Sequence, residues 1–193
     1  MESDFYISAD IEADGPIPGP FSMLAFGFAV AGRSDGERFD GGIAGGTFYR
    51  ELCPISDEFE PKALEVSGLD RDRLTREGSD PAQAMAEAGE WIAAHAGSGR
   101  PVLVGYPVVF DWMFLHWYFV RFAGESPFGF SSALDIKTMY QQKARVTVSE
   151  AGRGDLPDFL RSDREHTHNA LDDALEQADV FAHVFNWDGT EPR

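Results

Sequence analysis

The chain has 193 residues, 43% of them hydrophobic and 13% aromatic, enough apolar material for one substantial core and too much for a disordered or fibrous chain. A formal net charge of −17 argues against the basic face that an indiscriminate grip on duplex nucleic acid requires, although a local basic strip or bound cations could still hold a short strand. The single Cys53 excludes an intramolecular disulfide and a multi-cysteine zinc site. With an acidic start at residues 1–4 and no apolar run of membrane-spanning length, it leads to the expectation of a soluble, cytoplasmic protein with no membrane partner.

Residues 5–12 alternate. Phe5, Ile7, Ala9 and Ile11 share one face and Ser8, Asp10 and Glu12 the other, which predicts a strand. A Gly- and Pro-rich loop follows at 15–20, and residues 23–30 are apolar enough for a strand buried on both faces. A Gly-rich polar connector over 32–46 leads to a third strand at 47–52, and three strands on short links predict an antiparallel meander. Asp80-Pro81 opens a helix by its cap residue and first-turn proline, with Ala84, Ala88, Trp91 and Ile92 as its stripe to about residue 96. A short buried strand is predicted at 101–105. Phe114, Leu115, Tyr118 and Phe122 have helical spacing over 111–122, and 132–136 reads as a last strand. A closing helix over about 168–185 carries Leu171, Leu175, Ala178, Ala182 and Phe185 as its core stripe. Residues 143–165 are polar and Gly-containing and give no element. The order predicts one α/β domain over residues 1–193, with its core at about 5–187.

The chemical signal is a set of acids in ordered contexts. Asp10 and Glu12 sit two apart on a strand, so their carboxylates project from one face about 7 Å apart at the backbone. Such a pair repels unless a cation lies between its members, and a hard divalent ion wants these oxygens. Asp-x-Glu recurs at Asp35-Gly36-Glu37 and Asp163-Arg164-Glu165, but only the first copy ends an apolar strand. Asp111 follows the strand at 101–105 and either caps the next helix or stands at the rim of the core that Trp112 to Leu115 bury. His168 precedes Asp173 by five residues, and Asp173 lies near Ala170 and Ala174, whose small side chains admit a close neighbour. His183 and Asp188 repeat the spacing, but with bulky Phe185 in place of the small residue.

Asp10-Ile11-Glu12, Phe110-Asp111-Trp112-Met113-Phe114-Leu115 and His168-Asn169-Ala170-Leu171-Asp172-Asp173 together resemble, in order and context, the three motifs of the DEDDh exonuclease family. This family includes RNase T, oligoribonuclease and polymerase proofreading subunits. Residues 63–69 resemble the loop before that family's first helix and 134–138 a strand end between its second and third motifs, so the likeness spans about 5–185. It implies an RNase H-like fold with a mixed five-stranded sheet and flanking helices. One departure is Tyr106-Pro107, where many relatives carry His-Asn.

The resemblance further implies that Asp10, Glu12, Asp111 and Asp173 hold two divalent cations, Mg²⁺ or Mn²⁺, able to clamp an in-line displacement at phosphorus. Asp10 would bridge both ions, and His168 would serve as general base; neighbouring His166 reads as an exposed histidine at a helix start. Ala13, Tyr106 and Phe110 are implied substrate contacts. The expected activity is 3′–5′ exonucleolytic release of 5′-monophosphates from the 3′ ends of single-stranded RNA or DNA. Lys137, Lys143, Arg145, Arg153, Arg161 and Arg164 could flank that strand or form a solvated face. A homodimer, common among such relatives, has no sequence feature to demonstrate it. The rival expectation is a catalytically silent nucleic-acid or protein binding module on the same fold.

Overall fold

β1 (Asp4–Ala13) runs through the middle of a six-stranded sheet in the computed structural model, which describes residues 3–41 and 46–190. β2 (Met23–Ser34) lies antiparallel on one side of it, and β3 (Phe39–Gly41) and β4 (Thr47–Glu51) both pair with the far edge of β2. On the other side β5 (Arg100–Gly105) runs parallel to β1, and β6 (Ala133–Asp135) parallel to β5. The sheet is mixed, as expected, with one strand more. That strand corrects the reading of residues 32–46 as a plain connector. β2 continues to Ser34, and Asp35 turns the chain by accepting at Oδ1 from the N–H groups of Glu37 (3.0 Å) and Arg38 (2.9 Å), so that β3 returns alongside. Residues 42–45 of the connector lie outside the described residues.

Among the described residues six α-helices flank the sheet: α1 (Pro61–Ser67), α2 (Arg71–Glu77), α3 (Pro81–Ala96), α4 (Val108–Tyr118), α5 (Ile136–Ala144) and α6 (Ala170–Asn186). The alternation in β1 sends its side chains to two cores. Phe5, Ile7, Ala9 and Ile11 join Ala84, Ala88 and Ile92 of α3 and Phe114, Leu115 and Tyr118 of α4. Tyr6 joins Val102, Val104, Ile136 and the apolar residues of α6 on the opposite face.

α3 starts where Asp80 predicts, its Oδ1 accepting from Ala82 (2.9 Å) and Gln83 (3.0 Å). α1 covers most of residues 63–69, where the resemblance implies a loop. It buries no residue, and α2 buries only Leu74, so neither carries a stripe to read. α5 begins at Ile136, where a strand was expected to end, because Asp135 caps it through Thr138 N (3.2 Å). α4 begins three residues before Asp111, behind Pro107, and closes in one π-helical turn (Phe119–Ala123); Asp111 is therefore not its cap residue. The cap comes from elsewhere in the chain, with Val108 N donating to Asp135 Oδ1 (3.2 Å).

The predicted stripe of α6 is rotated. Ala170, Asp173, Ala174, Gln177, Phe181 and Val184 are buried, and of the expected residues only Ala178 is, the others being half-buried. The buried face includes two acids and an amide, Asp173, Glu176 and Gln177, so it is not the most hydrophobic face of the helix. Among the described residues no helix is long and apolar enough to cross a membrane.

Candidate active site

The parallel strands β1, β5 and β6 end along one edge of the sheet, where open α/β sheets place their ligands. Asp10 and Glu12 extend β1 two and four residues past Ser8, the last residue of β1 paired with β5. The β5–α4 turn is tight enough to need Gly105, where a Cβ would stand 2.8 Å from Val108 Cα and 3.1 Å from Asp111 Oδ2. That turn swings Asp111 back to β1, and its Oδ1 accepts from Ile11 N (3.2 Å), between the two β1 acids. Asp173, 1% exposed, is clasped at both oxygens by successive backbone donors, Thr167 N to Oδ1 (2.8 Å) and His168 N to Oδ2 (3.0 Å). His168 adopts φ 58°, a left-handed conformation uncommon outside glycine, though His, Asn and Asp adopt it more often than other side chains. Asn169 then caps α6 through Leu171 N (3.0 Å) and Asp172 N (3.3 Å).

One turn beyond Asp173, Gln177 donates from Nε2 to Asp10 Oδ1 (2.8 Å), tying α6 to β1. Oxygens of Asp10, Glu12 and Asp173 lie within 4.8 Å of one another. All four acids line a cavity of about 250 Å³ together with Tyr106, Phe110, Arg153, His166 and His168. Burial, then the charges of Asp111, Glu12 and Asp173, push the Asp10 carboxyl well above the usual range, with Arg153 opposing. Burial first, then Asp173 and Asp111, carries Glu12 up to about 8. Burial carries Asp111 up to about 7 against the Ile11 N–H. Asp10, Glu12 and Asp111, which resist their own charge, crowd with Asp173 on rigid backbone into a hard-oxygen donor set that fits divalent cations.

The structure thus brings Asp10, Glu12, Asp111, Asp173 and His168 to one place, with Tyr106 and Phe110. Ala13 lies outside that cavity, in an adjoining groove of about 360 Å³ that shares Ile11, Glu12 and Phe110 with it. Tyr106 is 7% exposed and donates its hydroxyl to Ala151 O (3.1 Å), so it serves as a packed wall. His166, read as merely exposed, reaches the site with Nδ1 3.0 Å from Asp173 Oδ2, its ring centroid 4.7 Å from that of His168. Burial, then Arg153, lowers its pKa. Gln177 and Glu176 belong to no motif of the sequence. The signal for them is three polar residues at i, i+3 and i+4 from Asp173, a polar seam that a solvated face does not need.

Over residues 38–185 the chain matches the family described as the 3′-5′ exoribonuclease Rv2179c-like domain. It is also 35% identical over 181 residues to the 3′-5′ DNA exonuclease Cap18 of Escherichia coli, a match covering 93% of this chain and 91% of that one. The chain belongs to the Rv2179c-like 3′–5′ exonuclease family. Solved structures share its fold. E. coli exonuclease I in complex with a dT13 oligonucleotide superposes with TM-score 0.64 at 16% identity, over 94% of this chain and 40% of that one. The 3′-exonuclease recognising the histone mRNA stem-loop gives 0.67 at 13%, over 96% and 65%. S. pombe Pop2p in its Mg²⁺- and Mn²⁺-bound form gives 0.66 at 18%, over 96% and 85%. The chain spans about 40% of the length of exonuclease I. At these identities the likeness carries the RNase H-like exonuclease fold.

In this exonuclease the expected basic strip is largely spent on structure. Lys143 Nζ donates to the carbonyls of Val184 (2.7 Å), Phe185 (2.9 Å) and Trp187 (2.6 Å). Arg161 donates to Leu156 O (2.8 Å), and Arg164 pairs with Asp179 (3.1 Å). Of the six, Arg153 lines the cavity. It pairs with buried Glu176, reaches Tyr106 O (3.4 Å), and lays its guanidinium 5.4 Å from the Tyr106 ring centroid.

Proposed function

We propose that this family member is a divalent-cation-dependent 3′–5′ exonuclease of the DEDDh type, releasing 5′-monophosphates from the 3′ ends of single-stranded RNA or DNA. The observation that carries the reading is the convergence of Asp10, Glu12, Asp111 and Asp173, from three separate elements, into one cavity with His168 at its mouth. Asp10, Glu12 and Asp173 would hold one Mg²⁺ or Mn²⁺, and Asp10 with Asp111 a second. When bound, such a pair supplies the Lewis acidity that makes water nucleophilic at neutral pH and steadies the departing 3′-oxygen.

The residues divide the remaining work. Gln177 takes one oxygen of Asp10 and Ile11 N–H one oxygen of Asp111, so both carboxylates meet the reaction centre already oriented. The Thr167 and His168 N–H groups do the same for Asp173. His168, exposed and next to Asp173, takes the proton of the attacking water, a task suited to an imidazole. Phe110 stands where the cavity meets the groove of Ala13, Ala63 and Val66. This supports a pose in which the scissile phosphate enters the cavity while the terminal nucleoside lies in the groove. Arg153, paired with Glu176, supplies the cavity lining with a guanidinium.

Matched 5′-labelled RNA and DNA oligonucleotides of several lengths, incubated with Mg²⁺, yield ladders that shorten from the 3′ end. The relative rates identify the polymer, on which the exoribonuclease family and the DNA exonuclease Cap18 point in different directions. Folded protein that shortens neither polymer with any divalent ion rejects the reading.

A further inference from the structure

We propose that His166, His168 and Asp173 form a further cation site beside the carboxylate pair of ions, for a borderline ion of the Zn²⁺ class, and that filling it arrests the exonuclease. The second half rests on the reading of the carboxylate site above; the first stands on its own geometry. Each of the three residues offers a ligand atom, all within 4.8 Å of one another. The closest pair, His166 Nδ1 and Asp173 Oδ2, is 3.0 Å apart. Tetrahedral zinc, with bonds of about 2.0–2.2 Å, spaces its ligands by about 3.4 Å. These two atoms therefore already stand close to the separation that a shared ion requires.

The site is built around a fixed member and two adjustable ones. Asp173 is held by the two backbone donors and cannot turn, while His166 and His168 are exposed and reorient by side-chain torsion alone. Both imidazoles come from alternate residues of one short loop, with His168 in a left-handed backbone conformation and 4.7 Å between the ring centroids. The donor set differs in kind from the neighbouring one. Two imidazoles and one carboxylate suit zinc and its borderline neighbours, whereas Mg²⁺ is a hard ion that selects oxygen. Three protein ligands leave a fourth position to water, which makes the site exchangeable.

Occupation has a direct consequence because the sites share Asp173. An ion on the histidines occupies the His168 lone pair that would take the proton, and draws on the carboxylate that the catalytic ions need. Zinc therefore competes with turnover without displacing the carboxylate set as a whole.

The test is calorimetric titration of the protein with Zn²⁺ alone, together with the visible d–d absorption of bound Co²⁺. Both are run in an Asp10→Asn background that weakens binding to the carboxylates. His166→Ala is expected to weaken zinc at least tenfold and to abolish the tetrahedral cobalt bands, and His166→Cys to restore both. In protein with Asp10 intact and saturating Mg²⁺, zinc lowers the cleavage rate, and His166→Ala moves the inhibition midpoint by the same factor as direct binding. Zinc affinity indifferent to His166→Ala overturns the site; an inhibition midpoint indifferent to it overturns the arrest. If Mg²⁺ supports no cleavage at all, the exonuclease reading fails while calorimetry and cobalt absorption still decide the site.

Discussion

Gly27 of β2 lies so close under the first turn of α6 that a Cβ on it would stand 2.4 Å from the carbonyl oxygen of Ala170 and 2.6 Å from Leu171 Cα. Gly27 is also the cross-strand partner of Asp10. The absence of one side chain therefore sets how closely Asp173 approaches Asp10. Both obstructing groups are backbone, so Gly27→Ala must displace the helix. Overpacking of this kind costs about 1–3 kcal/mol, and a shift of about 1 Å at a reaction centre can cost about 100-fold in rate. The variant is expected to melt lower and to lose most of its exonuclease activity at temperatures where it remains folded. Parallel melting and single-turnover measurements decide this, and wild-type turnover in folded Gly27→Ala would refute the spacing argument.

Asp10→Asn should separate function from stability. The carboxyl is held far above its usual range by burial and by three neighbouring acids, so neutralising it relieves repulsion that the metal-free fold must bear. The contact to Gln177 survives, because the amide oxygen of Asn can accept from Gln177 Nε2 as the Asp10 carboxylate does. Without metal the variant is expected to melt higher than wild type, each 1 kcal/mol raising Tm by about 2–4 °C. It loses activity and most of the thermal shift that Mg²⁺ gives wild type. A lower metal-free Tm would mean that Asp10 stabilises the fold as a charge.

Much of this site was legible in the sequence because its acids stand at places that local pattern defines. Asp10 and Glu12 end an alternating strand, and Asp173 sits beside alanines on a helix with a clear start. What was not legible depends on the chain folding back. Asp111 reads equally well as a helix cap until Asp135, 24 residues on, is seen to cap Val108 in its place. Lys143 reads as a strand-flanking cation until the C-terminal end of α6 arrives over it. α1 and α2 bury almost nothing and leave no periodicity. The α6 stripe was misplaced because its inner face carries Asp173, Glu176 and Gln177, side chains that serve the site and that a hydrophobicity ranking assigns to solvent.

The raised carboxyls give the pH dependence a definite sign. Glu12 moves from an ordinary 4.5 to about 8 and Asp111 from 3.8 to about 7. Between the ordinary and the raised values the folded metal-free protein binds more protons than the unfolded chain, so its stability falls as pH rises through that window. Cation binding requires the same groups deprotonated and runs the other way, tightening by up to about tenfold per pH unit for each proton displaced. Apparent Mg²⁺ affinity is expected to climb from pH 6 to 8, and raising Mg²⁺ to slide the acid limb of the rate profile to lower pH. An acid limb in the same place at low and high Mg²⁺ would show that proton–metal competition does not control it.

His168 carries two requirements, one chemical and one conformational. Its φ of 58° is better tolerated by Asn than by most side chains, and its N–H bond to Asp173 belongs to the backbone. His168→Asn therefore preserves the loop, with a stability change within about 0.5 kcal/mol. It removes the proton acceptor, for a loss of about 10²–10⁴-fold in rate. The informative measurement is the pair, an unchanged melting curve beside a collapsed rate; a retained rate would move the general-base role elsewhere.

Lys143 tests the distinction between cations that hold the fold and cations that meet the substrate. Its ammonium closes the end of α6 by donating to three carbonyls, while burial lowers its pKa. Lys143→Met keeps the apolar stem and deletes the donors, leaving helix-end carbonyls without the partner they have, at a cost of about 1–3 kcal/mol. The variant should melt lower yet cleave at the wild-type rate where folded, and the salt dependence of its oligonucleotide KM should match wild type, since no phosphate contact has been removed. A flatter salt dependence would return Lys143 to the substrate path and oppose the structural role that its three bonds assign.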